Sequence, residues 1–132
     1  MIVGAGIDIV EIARVEQALV RRGERIRARL FTPRERADCE RRARSGPAFA
    51  LRFAAKEAGM KAIGTGWRRG VGWCDFETRE QDGSLEIIIQ GRALDFARRR
   101  RFERAWLGAS LTRTHAVAHV VLEGPPGGDP SE

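Results

Sequence analysis

Phe49-Ala-Leu-Arg-Phe-Ala-Ala-Lys-Glu-Ala-Gly-Met-Lys-Ala-Ile-Gly-Thr-Gly66 is the stretch around which the chain is organised. It reads as one helix with a defined stop. Gly46-Pro47 opens it, because proline suits a first helical turn. The alanines favour its interior. Gly64 and Gly66 end it, Gly64 being placed as a left-handed cap. Phe49, Phe53 and Met60 recur at helical spacing and are expected to face a core. Glu57 and Lys61 lie at i and i+4 and therefore share a face. Lys56 and Lys61 are the only two lysines; the other cationic residues of the chain are arginines, two histidines aside.

At 132 residues the chain suits a single domain, expected over residues 1–123. The net charge of +6 favours an acidic partner. Nucleic acid, an anionic membrane, a phosphorylated ligand or an acidic protein would each serve, and so would a merely solvated arginine surface. Cys39 and Cys74 match neither a metal spacing nor a disulfide framework, so free thiols in a reducing compartment are expected. Met1–Val10 lacks a basic start and holds Asp8, unlike a signal peptide. No apolar run approaches the roughly 20 residues of a membrane span. A cytoplasmic protein is expected.

Met1–Val10 reads as a strand, with Ile7 and Ile9 on one side and Asp8 on the other. Ile12, Val15 and Leu19 then form a helical stripe that Gly23 interrupts, and Glu24–Leu30 forms a second short helix. Thr32-Pro33-Arg34-Glu35 is a capping box that starts another helix, running to about Ala43. Beyond Gly66, Val71–Arg79 and Leu85–Gln90 read as strands joined through Asp82-Gly83. The run Ile87-Ile88-Ile89 suggests burial on both faces. A basic helix over Gly91–Phe102 points Leu94, Phe96 and Ala97 inward, with Arg98–Arg101 as a solvated face. Ala105–Leu111 and Ala116–Leu122 are candidate strands around Arg113-Thr114. Gly124–Glu132, rich in Pro and Gly, is expected to be a disordered tail. The order β-α-α-α-β-β-α-β, with one or two strands at its end, argues for an α+β fold.

Asp8 and Glu57 are the candidate chemical residues. A carboxylate in an Ile/Val strand is costly to bury unpaired. Its simplest alternative is partial exposure or a pairing with Arg14. For Glu57 the alternative is an ordinary ion pair with Lys61. Two isolated carboxylates on apolar elements also make a hard-cation site, because magnesium takes one or two carboxylates and completes its shell with water and phosphate oxygens. Lys61 would then face a phosphate, and Gly64-Thr65-Gly66 would let a ligand approach the backbone.

Gly6-Ile-Asp-Ile-Val-Glu-Ile-Ala-Arg-Val15 and Arg52-Phe-Ala-Ala-Lys-Glu-Ala-Gly-Met-Lys-Ala-Ile-Gly-Thr-Gly66 closely resemble the two signatures of the holo-acyl-carrier-protein synthase family, the short phosphopantetheinyl transferases. Phe31-Thr-Pro-Arg-Glu35 is similar to that family's middle segment. The resemblance implies transfer of 4′-phosphopantetheine from coenzyme A to a serine of an apo-acyl carrier protein, releasing adenosine 3′,5′-bisphosphate. It implies Asp8 and Glu57 as ligands of magnesium, or of manganese in its place. It makes Glu57 a base for the serine proton and Lys61 a partner of the phosphates and leaving group. Arg52 would lie near the nucleotide, with Gly64, Thr65 and Gly66 walling the coenzyme A pocket. Arg14, Arg21 and Arg22 are where the family would dock its acidic carrier. It further implies a small antiparallel sheet wrapped against helices, and a homotrimer with sites at subunit interfaces. One segment differs. Ala109-Ser-Leu-Thr-Arg-Thr-His-Ala116 carries Arg113 where the family commonly has histidine, so Arg113 becomes a candidate phosphate contact. A basic nucleic-acid-binding protein would account for the charge, but not for Asp8 or the Glu57/Lys61 pair. A catalytically degenerate relative would keep the fold alone.

Overall fold

Ser45–Ile63 forms the central helix, and most of the protein is packed on it. In the computed structural model, which describes residues 1–127, the elements run β1 (Ile2–Glu11), α1 (Ile12–Leu30), α2 (Pro33–Glu40) and α3 (Ser45–Ile63). A 3-10 turn (Trp73–Asp75), β2 (Phe76–Gln81), β3 (Ser84–Ile89), α4 (Gly91–Arg99), β4 (Arg104–Leu111) and β5 (His115–Glu123) follow. Two antiparallel sheets result, β1-β5-β4 and β2-β3. The α+β class and the expected order hold, with two strands after α4.

Local signals account for the helix ends. Thr32 accepts from the Glu35 amide while Glu35 accepts from the Thr32 amide, so the capping box of α2 is formed. Gly64 ends α3 in the left-handed conformation, φ 81°, and its amide bonds to Met60. Gly23 breaks α1 at φ 60°, so the two helices expected there run on across a kink. Asp82 and Gly83 both take positive φ, as the tight β2–β3 hairpin requires.

Several expectations change, and α2, read to about Ala43, stops at Glu40. The strand placed at Val71 begins only at Phe76, because Asp75 turns the chain: its carboxylate accepts from the amides of Gly72 and Ala93. The Ile87–Ile89 run is not buried on both faces. Ile87 and Ile89 are buried and Ile88 half-buried, as befits a two-stranded sheet packed on one side. The helix expected to reach Phe102 stops at Arg99, and Arg101 follows at φ 65°. Of the tail expected from Gly124, Gly124 exchanges hydrogen bonds with Met1, and residues 128–132 lie outside those described.

The core lies between α3 and the sheets. Phe49 is fully buried against Phe31, while Phe53 and Met60 are half-buried. Ala118, Val120 and Leu122 cover α3 from β5. At the centre sits a buried ion pair, Lys56 to Glu35, at 2.6 Å with neither side chain exposed. The Lys56 ammonium also donates to the carbonyls of Trp73 and Phe76. Glu35 accepts from the Thr78 amide and hydroxyl, at 3.0 and 2.6 Å. The pair thus joins α2, α3 and β2, and its hydrogen bonds offset the desolvation of both charges.

Lys56→Met leaves the Glu35 carboxylate buried without its countercharge. We expect it to lower unfolding free energy by about 3–5 kcal/mol. Adding Glu35→Gln should recover part of that loss in urea titrations.

Candidate active site

Two glycines set the geometry of the site. A side-chain carbon at Gly4 or Gly6 would run into the α3 carbonyl oxygens of Ala62 or Ala58. β1 therefore lies directly on the α3 backbone. Asp8, two residues on, is carried toward the same helix, and its side chain is only 14% exposed. The neighbouring Ile7 and Ile9 point outward and are 60% and 61% exposed.

Lys61 reaches across from the last turn of α3. Its ammonium donates to Asp8 Oδ1 at 2.9 Å and to the Ile7 carbonyl at 3.2 Å. Asp8 is therefore paired with Lys61 and not with Arg14, and the Lys61 ion pair is with Asp8 rather than with Glu57. Glu57, one turn earlier on α3, is half-buried. Burial and then the charge of Asp8 push its carboxyl above the usual value, while Lys61 and the Trp67 side chain pull the other way. Aromatic rings gather beside it: Trp67 stacks on Trp73 at 3.9 Å, and Trp73 stacks on Phe53 at 5.1 Å. Phe53 is one turn before Glu57, so this ladder supplies the apolar surroundings that desolvate the carboxylate.

Asp8, Glu57 and Lys61 thus come together, with Gly64-Thr65-Gly66 continuing from the same helix. Gly64 and Gly66 both take positive φ; Arg100 lies against Gly64, while open space at Gly66 leaves its backbone approachable by a ligand. Among the described residues no three or more His, Cys, Asp or Glu side chains gather to cage a metal. The donor set fits an ion content with one or two carboxylates plus water and phosphate, as magnesium is.

Arg52 lies apart from this trio. It lines a cleft of about 620 Å³ with Arg42, Arg44 and Glu80, between the start of α3, the β2–β3 hairpin and β4. It is buried, donating to Glu80 at 2.8 Å and to the Ala48 carbonyl, while its Nε has no partner. Burial opposes the charge on Glu80, but the hydrogen bonds from Arg42 and Arg52 outweigh it and hold that carboxyl below its usual range. Arg14, Arg21 and Arg22 are exposed on α1. Arg14 lines a groove of about 440 Å³ with Ile9, Leu19, Phe53 and His115. Arg113 is exposed in the turn between β4 and β5, outside the trio.

Sequence reasoning missed Trp67 and Trp73 beside Glu57. The signal available was two tryptophans of a total of three falling just past the helix stop. It also missed Lys56, whose setting among alanines was the hint that it is buried.

In this α+β protein a carboxylate of β1 meets a carboxylate and a lysine of the central helix, donor types that suit a divalent cation and a phosphate. Residues 4–119 match the family model described as the 4′-phosphopantetheinyl transferase superfamily, and the chain belongs to that family. It is 48% identical to the holo-[acyl-carrier-protein] synthase of Koribacter versatilis, over 93% of this chain and 99% of that protein. It is 44% identical to the synthase of the same name from Geobacter sulfurreducens, over 95% of this chain and all of that protein. Among solved structures, the synthase of Neisseria meningitidis superposes with a TM-score of 0.83 at 32% identity, covering 93% of this chain and 99% of that one. The Bacillus anthracis synthase in complex with coenzyme A (3′,5′-ADP) gives 0.77 at 36% identity, covering 95% and 99%.

The raised Glu57 value has a sign in stability. Its protonated form favours the fold, so its stabilising contribution is full below the ordinary carboxylate range and is lost as pH rises through the raised value. Without divalent cations, Glu57→Gln should therefore melt at a higher temperature than the parent near neutral pH. The difference should close at about pH 4, below the unfolded-state value. Thermal melts at both pH values check this, and an equal difference at each counts against it.

Proposed function

We propose that this chain transfers the 4′-phosphopantetheine group of coenzyme A to a serine of an apo-acyl carrier protein, releasing adenosine 3′,5′-bisphosphate. The observation that carries the reading is the meeting of Asp8, Glu57 and Lys61 in a chain that is 48% identical, over 93% of its length, to a holo-[acyl-carrier-protein] synthase. The bond formed joins the serine oxygen to the phosphopantetheine phosphorus. The bond broken is the pyrophosphate link to the nucleotide.

Asp8 and Glu57 are the residues that would hold magnesium. Such a cation, when bound, neutralises charge on the pyrophosphate and aligns it. Glu57 takes the serine proton, directly or through water; a desolvated carboxylate is a stronger base than one in water. Lys61, already donating to Asp8, is poised to shift a donor toward a phosphate oxygen and stabilise the leaving group. Gly64, Thr65 and Gly66 offer backbone to coenzyme A. Arg52, with an unpartnered Nε in an arginine-lined cleft, suits the nucleotide phosphates. Arg113, exposed on its hairpin, is a further phosphate contact. Arg14, Arg21 and Arg22 present positive charge to an acidic carrier, speeding encounter.

The chain functions as a homotrimer in the cytoplasm. Among the described residues no helix is long and apolar enough to cross a membrane. The outer face of the β1-β5-β4 sheet is apolar: Ile7, Ile9 and Trp106 are each about half exposed or more. A second copy would cover that face, and sites at subunit interfaces would bring the coenzyme A pocket of one subunit to the carboxylates of another.

Incubation with apo-acyl carrier protein, coenzyme A and magnesium should add one phosphopantetheine mass to the carrier, read by mass spectrometry. EDTA or Glu57→Gln should reduce the rate at least about a hundredfold, the scale of a lost acid–base group. No mass gain with several carriers and a folded protein overturns the reading. Light scattering should give three times the 14.7 kDa chain mass, and Ile7→Glu with Ile9→Glu should yield monomer. A monomeric but fully active parent removes the trimer.

A further inference from the structure

The four arginines Arg98–Arg101, expected as a solvated face, are not equivalent. Arg98 shows no side-chain partner among the described contacts, and Arg99 rests on the Phe96 ring. Arg100 instead turns back to the end of α3. Its Nη1 donates to the Ile63 carbonyl at 2.8 Å and to the Ala62 carbonyl at 3.2 Å. These are two of the last carbonyls of α3, which have no partner inside the helix. A cation there also opposes the negative end of the helix dipole.

The position matters because of what shares it. The Ala62 carbonyl that Arg100 grips is the one against which Gly4 of β1 is packed. Lys61 immediately precedes it. Gly64, whose α-carbon side faces Arg100 Nη1, opens the Gly64-Thr65-Gly66 turn. One guanidinium therefore ties α4 to the last turn of α3, just where the lysine and the glycine turn of the site leave the helix. Thr65 and Gly66 have few other fastenings: among the described residues the only side-chain hydrogen bond in the turn is Thr65 to the Gly66 carbonyl.

We propose that Arg100 is a positioning residue of the active site: by capping α3 it holds Lys61 and the Gly64–Gly66 turn in the conformation that receives coenzyme A. The proposal rests on the coenzyme A reading above for its kinetic consequence, and on the geometry alone for its structural one. Arg100 does not touch the reacting atoms. Its loss should loosen the turn and so weaken ground-state binding more than the chemical step.

Arg100→Ala, Arg100→Lys and Arg98→Ala would be compared with the parent in two assays. In hydrogen–deuterium exchange of the protein alone, Arg100→Ala should raise exchange in the segment from Lys61 to Trp67, with β5 unchanged. In the transfer assay it should raise the Michaelis constant for coenzyme A on the order of tenfold, with kcat within about twofold, the signature of lost uniform binding on the scale of one charge-assisted hydrogen bond. Arg100→Lys, which keeps a donor and the charge, should restore most of both. Arg98→Ala should match the parent, and so separates capping from lost surface charge. Unchanged exchange in Arg100→Ala overturns the proposal even if the parent transfers nothing, an outcome that would fall on the function reading instead. An unchanged Michaelis constant in an active protein, or an equal rise in Arg98→Ala, also overturns it.

Discussion

Everything at the site depends on how closely β1 can lie on α3. The two touch backbone to backbone because Gly4 and Gly6 present no side chain to the carbonyls of Ala62 and Ala58. A strand separated from a helix by ordinary side chains would stand several ångströms further off, and Lys61 could not reach both the Asp8 carboxylate and the Ile7 carbonyl. The small residues of α3 serve the same end. Its alanines at 54, 55, 58 and 62 are buried, and Gly59 makes room for Phe76 from the other side. A helix built of small residues is held on all sides at short range, and its few long side chains are those with a chemical or architectural task.

Lys56 is the architectural case. Its charge is fully enclosed, which is tolerable only because Glu35, Trp73 and Phe76 meet it with a carboxylate and two carbonyls. Glu35 in turn satisfies Thr32 and Thr78. The same carboxylate caps α2, pairs with α3 and fixes β2, so the elements that back the aromatic ladder are locked together. Trp73 belongs to both systems, with its carbonyl on Lys56 and its ring between Trp67 and Phe53. The surroundings of Glu57 are thereby rigidly coupled to the core.

The sheet inverts the usual pattern. On β1 Asp8 faces inward, while Ile7 and Ile9 face out. On the same outer face Trp106 of β4 is nearly half exposed, with Arg104 over its ring. The inward carboxylate is paired with Lys61, while the outward isoleucines stay about 60% exposed among the described residues. Apolar faces of this kind are the surfaces on which proteins associate, and the homotrimer proposed above would cover this one.

Much was legible in the sequence because it is local. The capping box of α2, the glycine stop of α3, the break at Gly23 and the Asp82-Gly83 turn are decided by backbone preferences of a few residues, and each is formed as read. Asp8, Glu57 and Lys61 were legible as chemistry out of place on apolar elements. Which of them would pair was not legible. Spacing joined Glu57 to Lys61, whereas a contact across 53 residues took Lys61 to Asp8. The same holds for Lys56 with Glu35, for Arg52 with Glu80, and for Arg100 with the end of α3. Periodicity also overread Ile87–Ile89, since burial on one face or two depends on which elements pack there. Local sequence thus determined the elements and the residue types at the site. Only the tertiary fold chose the partners, because long-range electrostatics and close packing depend on distances that no spacing along the chain encodes.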